Sequence, residues 1–222
     1  MDGLTVRLPQ ARARPDGPSA GHGGGRWLNV ADLAATWFFA VEGAVAARHH
    51  LDVLGVVAMG MLTAFGGGMV RDLLIGQAPA ALRSWRWLLA GLVGAGAVVA
   101  LGPFTEQLPG GLALACDTAA LSLFAVDGAT KAVEAGANGP VAALLGVVTA
   151  VGGGIIRDSV LSVPPAAFRG DVQVAAAFVG ASMTVLAHRR RAPSAVALGI
   201  GFTGCIVLRM LGARLGWMLP IL

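Results

Sequence analysis

The sequence predicts an all-α membrane protein of seven transmembrane helices, arranged as two inverted three-helix repeats followed by a seventh helix. Composition is the first reason: of the 222 residues, 56% are hydrophobic and 13% are charged, and the mean hydropathy is +0.74. Soluble domains carry about 25% charged residues, so this chain lacks the polar surface of a soluble protein. Two further reasons are a set of long apolar segments and an internal duplication.

Seven apolar segments have lengths close to the ~20 residues that a helix needs to cross the hydrocarbon of a bilayer. They are continuously apolar rather than alternating, which argues against a transmembrane β-barrel. The segments cover residues 28–47, 53–75, 87–105, 112–130, 139–161, 172–188 and 195–211.

The first 26 residues are rich in Gly, Pro and Arg and have no apolar core. This predicts a disordered tail and excludes a secretory signal peptide. We expect the first repeat over 27–106, the second over 112–190, and the seventh helix with the C-terminus over 195–222. The pI of about 10.4 is explained by Arg residues near the ends of membrane spans, so no nucleic-acid partner is expected.

The duplication is visible in two pairs of matching segments. Residues 32–44, DLAATWFFAVEGA, agree with 117–129, DTAALSLFAVDGA, at 8 of 13 positions. Residues 60–74, GMLTAFGGGMVRDLL, agree with 146–160, GVVTAVGGGIIRDSV, at 8 of 15 positions. Because each unit contains three spans, the second enters the membrane from the opposite side, which predicts a pseudo-twofold axis in the membrane plane.

Two glycine triplets, Gly66–Gly67–Gly68 and Gly152–Gly153–Gly154, interrupt the second and fifth apolar segments. A glycine inside a helix costs about 1 kcal/mol relative to alanine, so each triplet predicts a kink or a short unwound segment near the midplane. In lipid, freed backbone groups are tolerated only where they are buried in protein or line water. The alternative is that the glycines only permit close helix packing.

An Arg-Asp pair follows each triplet: Arg71 with Asp72, and Arg157 with Asp158. A charge at the membrane centre costs about 2.5–3.5 kcal/mol on insertion scales, and such residues usually face a bundle interior or an aqueous path. Adjacent residues on a helix point about 100° apart. We therefore expect Arg71 and Asp72 to find their partners across the twofold axis, in Asp158 and Arg157. The alternative places both pairs at helix ends as interface anchors.

Further acidic residues recur at matching positions. Glu42 and Asp127 lie well inside the first and fourth apolar segments, which favours a side chain that faces the aqueous path. Asp32 and Asp117 lie near the starts of the same segments, where capping of the helix N-terminus explains them.

Thr63 and Thr149 lie one turn before the glycine triplets. Their hydroxyls can face the path, or they can bond to carbonyl groups of their own helices, as threonines inside helices often do.

The sequence contains no sign of an enzyme, a cofactor or a metal site. Neither triplet continues as Gly-Lys-Ser/Thr, so the phosphate-loop interpretation fails. His49 and His50 have no carboxylate or Cys at metal-ligand spacing. Cys116 and Cys205 lie in different apolar segments, where we interpret them as small buried apolar residues.

The doubled Gly-Gly-Gly-x-x-Arg-Asp motif and the doubled Phe-Ala-Val-(Glu/Asp)-Gly-Ala motif resemble those of the prokaryotic branch of the trimeric intracellular cation (TRIC) channel family. The resemblance covers about residues 28–211. It implies a multi-pass protein of the cell (inner) membrane that forms a homotrimer among membrane lipids. Each protomer would carry its own hourglass-shaped pore, permeable to potassium or other monovalent cations, in which the two glycine kinks line the pore and Arg71 and Arg157 follow them.

Two arginines in a cation path repel the permeating ion unless carboxylates offset them. We expect a pore of weak field with little discrimination between potassium and sodium, because no ring of carbonyl groups resembles a dedicated filter. The offsetting carboxylates would be Asp72, Asp158, Glu42 and Asp127.

Two other functions stay open from the residues alone. Inverted repeats with broken helices are also typical of secondary carriers, and paired Arg and Asp could hold a small zwitterion such as an amino acid. A packing protein without a permeation path would instead place the Arg-Asp pairs at the membrane surface.

Small residues on the predicted helices permit close contacts between helices and between protomers: Gly91 and Ala95, Gly96 and Ala100, and Gly212 and Gly216. With seven spans, ten Lys and Arg residues fall on the side of the N-terminus and four on the other side. This bias predicts a cytoplasmic N-terminus, whereas resemblance to the animal members of the family implies an N-terminus on the opposite side.

Overall fold

A computed structural model describes residues 24–102, 110–170 and 172–218. Over these residues the regular elements are eight α-helices and one short 3-10 helix, so the all-helical prediction is confirmed. The tail expected over residues 1–26 lies almost entirely outside the described residues, and the first helix already begins at Gly24.

Seven of the helices are long and fall on the seven predicted apolar segments. The helices are α1 Gly24–Ala47, α2 Val53–Leu74, α3 Ala80–Arg83, α4 Trp85–Ala100, α5 Gly110–Glu134, α6 Gly139–Val160, α7 Gln173–Arg189 and α8 Ser194–Leu215, with the 3-10 helix at Ala166–Phe168. By length and composition, four described segments can cross a membrane: Asn29–Ala47 of α1, α2, α6 and α8. Helix α4 is apolar but shorter, with 16 residues.

Helices α2 and α6 begin in the same way. The Asp52 side chain accepts a hydrogen bond from the backbone N–H of Gly55 at 2.8 Å, and the Asn138 side chain accepts one from Val141 at 3.1 Å. These side chains satisfy donors that the first turn of a helix leaves without partners. The same local signal therefore sets the start of both helices.

The helices of each half pack mainly with one another, and the halves meet through equivalent helices. Helix α1 packs on α2 and α4, and α5 packs on α6 and α7. Between the halves, α1 packs on α5 and α2 packs on α6, while α8 covers α5 and α7. The buried core at the α1–α5 contact is rich in alanine, which allows these helices to approach closely.

The glycine triplets do not unwind their helices, and the prediction of an unwound segment is wrong. Helix α2 is continuous through Gly66–Gly68, and α6 is continuous through Gly152–Gly154. A Cβ atom on Gly67 would overlap the carbonyl oxygen of Thr149, and one on Gly153 would overlap that of Thr63. The glycines thus let α2 and α6 cross with their backbones in contact, while an intact helix keeps its backbone groups hydrogen-bonded in a medium without water.

Candidate functional site

Two cavities lie on opposite sides of the α2–α6 crossing. The first is smaller than the second. Most of the first cavity's lining residues have an equivalent in the second, at the offset of the sequence duplication. Five of the equivalent pairs are used below: Asp32 and Asp117, Gly68 and Gly154, Arg71 and Arg157, Asp72 and Asp158, and Ala80 and Ala166.

A cluster of five charged side chains adjoins the first cavity, and three of them, Asp32, Arg71 and Asp72, line it. Arg71, only 1% exposed, donates from Nε to Asp72 at 2.8 Å and from Nη1 to Asp127 of α5 at 2.8 Å. Lys131, one turn after Asp127, lies 2.9 Å from the same carboxylate oxygen and 2.5 Å from Asp32 of α1. Helices α1, α2 and α5 are thereby linked through charge-assisted hydrogen bonds.

The second cavity has a cluster of the same composition. Arg157 donates from Nε to Asp158 at 2.8 Å and from Nη1 to Glu42 of α1. Arg209 of α8 donates to Asp117 of α5 at 2.6 Å. The guanidinium of α6 therefore reaches the other half of the molecule, just as that of α2 does.

Each cluster contains three carboxylates and two cationic side chains. When all five groups are ionised, each cluster has one negative charge in excess. Asp127 Oδ1 and Glu42 Oε2 are buried without a hydrogen-bond partner among the described residues. The two arginines are thus neutralised by the carboxylates around them, and neither leaves an unopposed positive charge beside its cavity.

The acidic residue of each Arg-Asp pair also fixes the loop that follows its helix. Asp72 accepts a hydrogen bond from the backbone N–H of Ala80 at 2.9 Å, and Asp158 accepts one from Ala166 at 2.8 Å. Since the other carboxylate oxygen bonds to the neighbouring arginine in each case, both aspartates are held on two sides. The loops after α2 and α6 therefore close one side of each cavity.

The expected pairing of the Arg-Asp residues across the twofold axis is wrong. Arg71 bonds to the adjacent Asp72, because Nε and Nη2 of the long side chain can turn back to the next residue while Nη1 reaches another helix. Its partner in the other half is Asp127 on α5, not Asp158 on α6. The same correction holds for Arg157, whose partner in the other half is Glu42.

Helix capping does not explain Asp32 and Asp117. Helix α1 begins at Gly24 and α5 at Gly110, so both aspartates lie in helix interiors, where capping cannot occur. They pair instead with Lys131 and Arg209. The sequence reasoning missed these two cations, although the Asp127–Lys131 spacing of four residues and the position of Arg209 inside an apolar helix were signals for them.

Thr63 and Thr149 pack between helices and line neither cavity. Both are 0% exposed, and their hydroxyls donate to the carbonyl groups of Met59 at 2.8 Å and Leu145 at 2.6 Å. The alternative in which they bond to their own helices is therefore confirmed.

The cysteines and the histidine pair lie apart from the cavities. Cys205 is fully buried, as predicted, whereas Cys116 is of intermediate exposure. His49 and His50 lie in the turn after α1, where His50 is exposed. In the described part of the chain no three His, Cys, Asp or Glu side chains are grouped to hold a metal ion.

Apolar helices, paired charged cavities and close backbone packing at a helix crossing define a helical membrane protein with a polar interior. The family model described as "Glycine transporter" matches the chain twice, at residues 29–103 and 114–189, and the chain belongs to that family. It is a member of the prokaryotic TRIC branch.

Relatives and solved structures agree with this assignment. A UPF0126 membrane protein of Deinococcus radiodurans is 38% identical over 73% of this chain and 76% of its own length. The UPF0126 inner membrane protein YadS of Escherichia coli is 29% identical over 87% of this chain and 94% of its own. The TRIC channel orthologue from Rhodobacter sphaeroides superimposes with a TM-score of 0.78 at 34% identity, covering 86% of this chain and 98% of that chain. A structure described for conductance through TRIC cation channels gives a TM-score of 0.81 at 29% identity, covering 87% and 96%.

Proposed function

We propose that this chain forms a cation channel, permeable to potassium and other monovalent cations, with one path through each protomer of a homotrimer in the cell membrane. The observation that carries the proposal is the pair of charged cavities on opposite sides of the α2–α6 crossing, each with one carboxylate in excess. A cation can be stabilised in both cavities, and the neutralised arginines do not oppose it. The names of the structural relatives as cation channels support the same function.

The proposed path uses the candidate residues in different ways. Side chains that line a cavity contact the ion or its water: Arg71, Asp72, Glu42, Arg157 and Asp158. Asp127 does not line the cavity, but it offsets the charge of Arg71 through their ion pair. Gly68 and Gly154 leave space beside the arginines, since a Cβ at either position meets only a guanidinium nitrogen, at 3.8 Å. The other triplet glycines, Gly66, Gly67, Gly152 and Gly153, hold the crossing at the narrowest part of the path, and Thr63 and Thr149 support that packing.

The architecture that we propose for this path is seven transmembrane helices in two inverted repeats, over 27–106 and 112–190, with α8 outside the duplication. Three observations support it. The same family model matches each half, the charged clusters have equivalent residues, and the halves meet through equivalent helices.

A secondary carrier for a small zwitterion is the second candidate. The description of the family as "Glycine transporter" favours it, and each cavity offers a guanidinium group and carboxylates to an amino acid. In the channel proposal the bound species is a partly hydrated cation. In the carrier proposal it is the amino acid, and transport saturates.

Liposomes that contain the purified protein separate the two functions. A potassium gradient should drive potassium flux that continues without any amino acid, and labelled glycine should show no exchange that is accelerated by glycine on the opposite side. Saturable glycine counterflow without potassium flux would contradict the channel and establish the carrier. Liposomes without protein provide the leak, which is subtracted.

A further inference from the structure

The two charged cavities share an aromatic wall. Phe39 of α1 and Phe124 of α5 stack with ring centroids 4.9 Å apart and an interplanar angle of 17°. Phe124 lines the first cavity, and Phe39 lines the second. The two residues occupy equivalent positions of the duplicated segments 32–44 and 117–129, so the stack lies where the two halves meet.

Both rings are buried in the α1–α5 contact, with exposures of 3% for Phe39 and 2% for Phe124. Their neighbours in the buried core are mainly alanines. These short side chains cannot extend into the space that a lost ring would leave. The two rings are the largest buried side chains of this cluster.

Helices α2 and α6, which also border the cavities, are closely packed where they cross. A Cβ on Gly66 would lie 2.8 Å from the Ile156 side chain, and one on Gly152 would lie 3.1 Å from the Cα of Gly67. The α2–α6 crossing thus leaves little space for an added side chain at Gly66 or Gly152.

We propose that the Phe39–Phe124 stack is a hydrophobic barrier that closes the path between the two charged cavities and determines its permeability. The inference rests on the proposed channel function. An apolar constriction of this kind stops ions by excluding water, because an ion must lose its hydration to pass and the rings offer no polar atoms in exchange. The charged clusters hold cations on either side, and conduction requires the rings to separate.

Truncation of either ring tests the barrier directly. In liposomes, Phe124→Ala and Phe39→Ala should each raise potassium flux severalfold over the wild type, and Phe124→Leu should raise it less. Phe38→Ala is the matched control, because Phe38 lies next to Phe39, stacks edge-on with Trp37 at 5.1 Å and lines neither cavity. If the wild type conducts, flux through assembled Phe124→Ala and Phe39→Ala proteins that equals or falls below that of the wild type would overturn the barrier.

Labelling of thiols placed in the two cavities tests the barrier independently of the channel function. Gly68→Cys and Gly154→Cys place thiols at equivalent positions of the two cavities, in a protein whose native cysteines are replaced by Cys116→Ser and Cys205→Ala. A membrane-impermeant thiol reagent applied to one side of sealed, uniformly oriented vesicles should modify only one of these thiols. With Phe124→Ala added, the same reagent should reach both.

Each outcome of this measurement has a defined meaning. Modification of both thiols from one side with the stack intact would overturn the barrier and leave the channel function standing. Modification of neither thiol from either side would overturn it as well, because the barrier requires water in both cavities. The expected labelling pattern together with no potassium flux in any variant would support the barrier and refute the channel.

Discussion

Lys131 and Arg209 each supply the second cation of a cluster, but their positions in the duplicated sequence are not equivalent. The position in the first half that is equivalent to Lys131 is Ala46, and Arg209 lies on α8, outside the duplication. Each cation nevertheless pairs with an aspartate inside α1 or α5, Asp32 in one case and Asp117 in the other. Both clusters thus contain three carboxylates and two cations, although the second cation of each comes from a non-equivalent position. We infer that the site requires this balance of charge rather than a charge at one fixed position.

Arg71→Gln tests this balance at the level of one residue. Loss of the guanidinium leaves Asp72 and Asp127 opposed only by Lys131, so the first cavity becomes more negative. In bilayers under a potassium chloride gradient, the reversal potential should move further toward that of a cation-selective pore, with a changed conductance. Arg190→Gln is the control, because Arg190 is exposed after α7 and should leave currents as in the wild type.

The same substitution should lower stability. Removal of one partner from a buried ion pair typically costs about 3–5 kcal/mol, because the remaining charge is left uncompensated. The midpoint of thermal unfolding in detergent should fall for Arg71→Gln and stay unchanged for Arg190→Gln. A reversal potential and a midpoint that match the wild type would remove Arg71 from the site.

Sequence reasoning identified most charged residues of the site because they recur in register and stand in apolar segments, as Arg71 and Arg157 do. It could not assign their partners. The pairing depends on which helices touch and on how a flexible arginine divides its nitrogens between Asp72 and Asp127. Neither quantity is encoded in the spacing along one helix.

At the scale of the helices, the glycine triplets act through contact rather than through unwinding. Gly67 faces the backbone of α6 at Thr149, and Gly153 faces the backbone of α2 at Thr63. The sequence shows the cost of three glycines in a helix but not the distance to the neighbouring helix. For that reason both consequences of a triplet, a break or a close contact, were consistent with the sequence until the packing was known.

Alanine substitutions at two adjacent glycines, made in separate variants, separate the effect of the α2–α6 contact from the effect of helix propensity. Gly67→Ala should lower the midpoint of thermal unfolding, because its Cβ overlaps a backbone carbonyl that cannot move without shifting α6. Gly68→Ala is the matched control in the same turn: its Cβ meets only Arg71 at 3.8 Å, and alanine favours helix by about 1 kcal/mol over glycine. Equal midpoints for the two variants would contradict the role of the crossing, and the pair Gly153→Ala and Gly154→Ala repeats the test in α6.

At the scale of the whole molecule, the low content of charged residues, 13%, and the long, continuously apolar segments were sufficient to predict a helical membrane protein. The surface that joins protomers was harder to predict. Gly91 packs inward against Met61 and Phe65, and Gly212 packs against Val172, whereas Gly96 has no atom within 4 Å of its Cβ position. Of these three glycines, Gly96 is the one whose helix face stays open to another protomer or to lipid.

We predict a homotrimer. The mass of the purified protein, measured by light scattering and corrected for bound detergent, should be three times that of one chain of 22.3 kDa. A monodisperse monomer in several mild detergents would contradict the prediction.

The N-terminus is predicted to lie in the cytoplasm. Lys131 and Arg209 pair inside the cavities and so do not count as loop charges, but the excess of basic residues on the N-terminal side persists without them. A cysteine introduced by Ser19→Cys, with Cys116 and Cys205 replaced, should react with a membrane-impermeant reagent only after cell lysis. Reaction in intact cells would establish the opposite orientation, which the animal relatives imply.

The measurement that tests the central claim most directly is recording from the wild-type protein in planar bilayers between unequal potassium chloride solutions. Two charged cavities, each with a carboxylate in excess, should pass cations in preference to chloride. We therefore expect discrete channel currents whose reversal potential lies close to the potassium equilibrium potential. Absence of current at all voltages from assembled protein, or a reversal potential close to that of chloride, would contradict the account.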